Sequence, residues 1–248
     1  MKIGYIYDDT SKGGEPCYLV DKIHEDEWYI YGDFIDSDLC MTSRVVVNKV
    51  TRGVSGEGFR FYLYTDTPVG VEHGILEQFE LIRAACDYGK TSHDECNHMY
   101  GDKPYSHHLK MVFDFAVSLG AVLTRDELVV ALAACWIHDV IEDARKTYND
   151  VAKVLGTRVA DVAYALSNEK GKTRDERAND AYYAGIKADD VACFVKICDR
   201  LANMKHSRDT GNKKMMENYA NELEGFIAKL YNPRFERMFE LLRSYKAI

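Results

Sequence analysis

The sequence predicts an α+β protein: a small N-terminal β domain, a barrel or curled sheet over residues 1–70, followed by an all-α helical bundle over residues 71–248. Two changes of pattern predict it. In the first part, Ile3, Tyr5 and Tyr7 alternate along one face, as do Phe59, Phe61 and Leu63, and period two is the signature of a strand. From about residue 73 the period becomes helical, as in the stripe Val112, Phe113, Ala116, Val117. Pro68 and Gly70 mark the join.

The elements follow in order. Trp28-Tyr29-Ile30-Tyr31 and Val45-Val46-Val47 are aromatic and β-branched runs that suit a pleated surface. Gly13-Gly14, Gly32-Asp33 and Gly53-Val54-Ser55-Gly56 punctuate them as turns. A helix is expected to start at Pro104-Tyr105-Ser106-His107-His108. Thr124-Arg125-Asp126-Glu127 forms a capping box before the apolar run Leu128 to Ile137. Tyr148 to Leu155 ends at Gly156, a natural residue just past a helix. Further helices are expected over 157–167, 174–186, 189–205, 213–230 and 233–246, with Pro233 in the first turn of the last.

The 248 residues are 46% apolar and 29% charged, enough for a real core and typical of a soluble globular chain. The formal net charge is −8. That argues against nucleic-acid or anionic-membrane partners, which select excess positive charge. Residues 168–215, with 11 Lys+Arg and 8 Asp+Glu, are the one net-positive stretch. Its Lys170, Lys172, Arg174, Arg177, Lys187, Lys196, Lys205, Arg208, Lys213 and Lys214 read either as solvated faces or as a phosphate-binding rim. Met1 to Tyr5 shows no secretory signal, and the seven cysteines contain no Cys-x-x-Cys pair. Reduced thiols and a cytoplasmic location are expected.

Chemistry concentrates in three segments. Trp136-Ile137-His138-Asp139-Val140-Ile141-Glu142-Asp143 sets four polar side chains in an apolar segment expected to be one helix. His138 and Glu142 are four apart, as are Asp139 and Asp143, so each pair shares a face. Carboxylates buried there need a cation or hydrogen-bond partners, and His with Asp suits a divalent transition metal. Val195-Lys196-Ile197-Cys198-Asp199-Arg200-Leu201-Ala202-Asn203-Met204 embeds Asp199 in a second apolar helix, with Lys196 and Asn203 on its face. The third segment is Tyr105-Ser106-His107-His108, in which either histidine could ligate. His93, Cys96 and His98 form only a partial zinc set, without a clear fourth donor.

The order His108 … His138-Asp139-x-x-Glu142-Asp143 … Lys196-x-x-Asp199-Arg200-x-x-Asn203-Met204 resembles the HD superfamily of metal-dependent phosphohydrolases. Within it, the Pro104-Tyr105-x-x-His108 entry and the His-Asp-x-x-Glu-Asp run resemble the hydrolase domain of RelA/SpoT-type alarmone hydrolases. Ser167-Asn168-Glu169-Lys170-Gly171 and Arg174-Asp175-Glu176-Arg177 also resemble the small stand-alone members. The resemblance covers about residues 93–204 and implies an HD-domain helical bundle for that part of the chain. It implies His108, His138, Asp139 and Asp199 as ligands of a divalent ion, manganese being typical, and Tyr105 selects His108 over His107. It implies that Glu142 and Asp143 activate or orient the attacking water, and that Lys196, Asn203, Tyr105 and His98 support the site or contact substrate. Family members carry an Arg before the Pro-Tyr element, where this chain has Asn97-His98.

The implied reaction is removal of the 3′-pyrophosphate of a (p)ppGpp-type nucleotide by a metal-activated water. A 5′-nucleotidase or dNTP triphosphohydrolase on the same scaffold is the alternative enzyme. A non-catalytic nucleotide-sensing or interaction module is the alternative of another class, and the intact Glu142-Asp143 pair argues against it.

Overall fold

Aromatic and β-branched runs near the N-terminus form six short strands: β1 Tyr5–Asp8, β2 Cys17–Glu25, β3 Tyr29–Ile35, β4 Met41–Asn48, β5 Gly53–Ser55 and β6 Tyr62–Thr65. The structure, a computed structural model, describes residues 5–8, 17–25, 27, 29–35, 41–48, 53–55, 62–65, 74–167, 176 and 178–246. Each strand pairs antiparallel with the next, and β1 pairs back on β6 with Ile6 opposite Tyr64, so the ladder closes on itself. Closure satisfies the edges that an open sheet would leave unpaired. Register shifts between Leu19 and Asp21 and between Lys22 and His24 bend β2 against β3. Ile3, Trp28, Phe59, Phe61, Pro68, Gly70 and the turns at Gly13-Gly14 and Gly56 lie outside the described residues.

The chain divides into two compact units, Met1–Glu80 and Leu81–Ile248, and the division falls within helix α1, Gly74–Glu95. After α1 come a small hairpin of β7 Met99–Tyr100 and β8 Lys103–Pro104, then α2 Ser106–Leu119. Thr124 and Glu127 form the expected capping box at the start of α3, Arg125–Ile137. A second box, Thr147 with Asp150, opens α5, Tyr148–Leu155, and Gly156 closes it at φ +83°. Next follow α6 Thr157–Leu166, α7 Asp180–Lys187, α8 Asp190–Asp209 and α9 Lys213–Leu230. Pro233–Phe235 forms a 3₁₀ turn rather than the first turn of a helix, and α10 is Glu236–Lys246. Asn179, Asp189, Asn212 and Asn232 each accept backbone N–H bonds at the starts of these elements. The segment Asn168–Arg174, with Lys170 and Lys172, lies outside the described residues, as do Asp175 and Arg177.

One expectation fails in an informative way. The segment 136–143 is not one helix: α3 stops at Ile137, His138 and Asp139 form a turn, and Val140–Asp143 is a single helical turn, α4. Asp139 sits at φ −105°, ψ 0°, outside the helical well. On a continuous helix, adjacent side chains point about 100° apart; the break lets His138 and Asp139 converge.

The core centres on α8, against which α2, α3, α6, α7, α9 and α10 pack. Phe194, Ile197, Cys198, Leu201 and Ala202 are fully buried on it, as are Leu109, Leu132, Ile137, Phe235 and Phe239 around it. From Val191 to Met204 α8 is buried except at the half-buried Lys196 and Asn203, so the charged residues within that stretch call for partners. Arg200 finds Glu222 at 3.1 Å and lies over the Tyr219 and Phe226 rings.

Gly89 marks the close approach of α1 to α3. A Cβ there would stand 1.9 Å from the Trp136 carbonyl oxygen, a backbone atom that cannot swing away. Gly89→Ala should therefore destabilise the protein by about 1–3 kcal/mol, the usual cost of overpacking. Helix propensity alone gives the opposite sign, a gain of about 1 kcal/mol. Thermal unfolding decides: a raised midpoint would show that the helices do not approach this closely.

Candidate metal centre

Four side chains from three places converge. His108 comes from the first turn of α2, His138 and Asp139 from the turn between α3 and α4, and Asp199 from the middle of α8. His138 Nε2 lies 2.9 Å from Asp139 Oδ2 and 3.9 Å from Asp199 Oδ1. His108 Nε2 lies 3.2 Å from Asp199 Oδ1 and 3.8 Å from Asp139 Oδ2. His108, His138 and Asp199 are buried, and one donor atom of each falls within 4.8 Å of the others. Donors that share one ion at about 2.0–2.2 Å stand roughly 3–4 Å apart, which is the spacing found.

The tautomer fits as well. His138 Nδ1 faces the Cys135 carbonyl at 3.0 Å. A carbonyl can only accept, so Nδ1 carries a proton, and in the neutral ring that a metal requires Nε2 is left with the lone pair. This bond also satisfies one of the carbonyls freed where α3 ends. Nε2 is buried without a hydrogen-bond partner: the 2.9 Å contact to Asp139 has ion-pair distance but not hydrogen-bond direction. An imidazole anchored through one nitrogen, with the other aimed among carboxylates, is the usual form of a metal-binding histidine. Without a cation, burial disfavours charge on His138, but Asp139 and Asp199 outweigh it and push the imidazole up to about 9. Asp199 is held well below the ordinary carboxylate range: burial opposes this, and Lys196, His108 and His138 overcome it. The cluster is compatible with a divalent ion.

A second layer fixes these carboxylates. Lys196 Nζ donates to Asp199 Oδ2 at 3.0 Å, and Asn203 Nδ2 donates to Oδ1 at 2.6 Å. Tyr100 in turn donates to Asn203 Oδ1 at 2.8 Å and stacks on His108 at 4.7 Å. Tyr105, buried, donates its hydroxyl to Asp139 Oδ2. Burial first, then the Asp139 charge, hold this phenol well above its ordinary range, so it stays a donor. Lys196 and Asn203, expected at the substrate, thus contact the Asp199 carboxylate, and Tyr105 contacts that of Asp139.

Glu142 and Asp143 are exposed on α4, and Asp143 N–H donates to the Asp139 carbonyl at 2.8 Å. The Asp143 carboxyl is pushed up to about 6, first by partial desolvation, then by the charges of Asp139 and Glu142. His107 lies outside the cluster, 6.2 Å from the His206 ring. His98 stacks on Tyr105 at 3.9 Å, and its Nδ1 meets His93 Nδ1 at 2.9 Å. His93 is fully buried, and burial lowers it to about 4, a neutral ring. Among the basic residues of the positive stretch, Lys205 and Arg208 pair with Asp209. Sequence reasoning missed Tyr100, whose partner lies in a distant helix, and noticed His93 only as part of a zinc set.

No family model matches the chain. It is 30% identical over 104 residues to guanosine-3′,5′-bis(diphosphate) 3′-pyrophosphohydrolase MESH1 of Drosophila melanogaster, covering 42% of this chain and 56% of the relative. It is 28% identical over 183 residues to guanosine-3′,5′-bis(diphosphate) 3′-pyrophosphohydrolase of Aquifex aeolicus, covering 64% of this chain and 25% of the relative. The chain therefore spans about half the length of the first of these curated relatives and a quarter of the second. The solved structure of a metazoan ortholog of SpoT that hydrolyses ppGpp matches with TM-score 0.53 and 18% identity, over 73% of this chain and 100% of its own. That likeness is one of fold. The resemblance to alarmone hydrolases read from the motifs extends to these relatives.

Proposed function

We propose that the chain is a metal-dependent phosphohydrolase that removes the 3′-pyrophosphate from a (p)ppGpp-type nucleotide. The convergence of His108, His138, Asp139 and Asp199, with His138 Nε2 turned into the cluster, carries this reading. The similarity to two guanosine-3′,5′-bis(diphosphate) 3′-pyrophosphohydrolases supports the substrate. A divalent ion, when bound, supplies Lewis acidity and lowers the pKa of water in its shell. The two imidazoles and two carboxylates hold it, and Lys196 and Asn203 keep Asp199 in place. Asp143, with a carboxyl near 6, takes and returns a proton close to neutral pH, and Glu142 beside it orients the water.

The mixed imidazole and carboxylate set suits a divalent transition ion, and manganese is the one that the resemblance to the family implies. A cytoplasmic location fits Cys86, Cys96, Cys135, Cys193 and Cys198, which are all free thiols. No helix among the described residues is long and apolar enough to cross a membrane. The division into a β domain over 1–70 and an HD domain over 71–248 belongs to the same reading, and the antiparallel ladder of β1 to β6 supports it.

The test is a substrate panel with the Mn²⁺-loaded protein: ppGpp, pppGpp, ppApp, dNTPs and nucleoside monophosphates. Release of pyrophosphate from the 3′ position of ppGpp is expected. Preferential turnover of dNTPs or monophosphates would favour the rival enzymes, with Asn97-His98 standing where the family resemblance leads one to expect an Arg. If folded, Mn²⁺-loaded protein turns over none of them, the enzymatic reading is wrong.

A further inference from the structure

Tyr105 and His98 were expected at the substrate, yet their contacts run the other way. Tyr105 is 8% exposed, and its hydroxyl is committed to Asp139 Oδ2. That oxygen is the one that faces the cluster, 2.9 Å from His138 Nε2 and 3.8 Å from His108 Nε2. The phenol ring is braced in turn. His93 stacks on it at 4.3 Å and His98 at 3.9 Å, while the two imidazoles are 5.1 Å apart. Those three distances make a compact triangle. Two rings on opposite faces of the phenol would be roughly 8 Å apart, the sum of two ordinary stacking separations. The imidazoles therefore press on Tyr105 together rather than sandwiching it, and their Nδ1 atoms are tied at 2.9 Å. That contact holds one proton, because one nitrogen must donate and the other accept. Tyr100 meets the Tyr105 ring edge-on at 6.0 Å.

We propose that Tyr105 is a positioning residue for the metal ligand Asp139, and that the His93–His98 pair acts on the centre through Tyr105. The pair fixes the phenol, the phenol fixes one lone pair of Oδ2, and the remaining lone pair is left facing the ion position. An unbraced carboxylate could rotate out of the cluster toward solvent and would bind an ion less tightly. The proposal rests on the metal-centre reading above but is independent of which nucleotide is cleaved.

The test is calorimetric titration of the full chain with Mn²⁺, alongside kcat and KM for ppGpp. Tyr105→Phe should weaken Mn²⁺ binding about 10–100-fold, the range for losing an outer partner of a ligand, and excess Mn²⁺ should restore kcat with KM unchanged. His98→Gln should weaken Mn²⁺ binding less. The double variant should bind Mn²⁺ no worse than Tyr105→Phe alone, since a residue acting through another adds nothing once the other is gone. His98 is only half-buried, so His98→Gln carries the test even if Tyr105→Phe fails to fold.

Wild-type Mn²⁺ affinity in Tyr105→Phe overturns the proposal. A raised KM with unchanged Mn²⁺ affinity in His98→Gln overturns the His98 part and makes it a substrate contact. If the wild-type chain binds no divalent ion, this proposal and the metal centre fall together. If it binds Mn²⁺ and Tyr105→Phe weakens that binding, but no nucleotide is cleaved, only the enzymatic reading falls.

Discussion

Asp199→Ala is expected to abolish tight binding of divalent ions and to lower the thermal midpoint of the ion-free protein as well. Asp199 Oδ1 faces both imidazoles, so its removal leaves the donor set without one corner. The loss in ion affinity should exceed the roughly 10–100-fold typical of outer partners. The second effect comes from Lys196, whose side chain is 19% exposed and whose ammonium is 3.0 Å from Asp199 Oδ2. Removing one member of a largely buried pair strands the other, at a cost of about 3 kcal/mol. For a domain of this size that is a fall of about 6–12 °C, at about 2–4 °C per kcal/mol. Adding Lys196→Met to Asp199→Ala should recover much of the midpoint without recovering ion binding. Calorimetry and thermal unfolding separate the two effects, and undiminished ion affinity in Asp199→Ala would remove it from the centre.

The largest effect on turnover without loss of the ion is expected from Glu142→Gln combined with Asp143→Asn. Neither carboxyl belongs to the four converging donors, so Mn²⁺ affinity should stay close to wild type. Loss of a positioned acid–base group should reduce kcat by about 10²–10⁴-fold. The pH profile gives the sign. A base works only when deprotonated, and Asp143 is pushed up to about 6. The rate should rise with pH through roughly 6 and then level off. A bound cation offsets the Asp139 charge and draws the limb to or below that value. Asp143→Asn alone should flatten the acid limb of kcat/KM. A double variant as active as wild type would take both residues out of the chemistry.

Much of the centre was legible because carboxylates in apolar helices contradict their surroundings. Asp199 in Ile197-Cys198-Asp199-Arg200-Leu201, and His138-Asp139 after Trp136-Ile137, could be picked out on that ground. The break between α3 and α4 was not legible. Spacing gives the face of an assumed helix but not the single φ, ψ pair at Asp139 that ends it. The direction of Lys196, Asn203 and Tyr105 was also hidden: the sequence sets them near the site, but only packing shows that each contacts the carboxylate of Asp199 or Asp139. Tyr100 was missed because its partner, Asn203, is 103 residues away and the short β7–β8 hairpin carries no pattern of its own. At the other extreme, Thr124 with Glu127 and Gly156 were readable because capping depends on neighbours in sequence.

The burial of the middle of α8, around Asp199, has a kinetic consequence. Asp199 stands on a helix that cannot be exposed without dismantling the contacts of most of its neighbours. Amides around it should exchange with solvent only through openings close to global unfolding. Occupancy of the centre then bears on the whole helical unit rather than on one loop: an ion at 100 times its Kd adds about 2.7 kcal/mol, slowing such exchange by about two orders of magnitude.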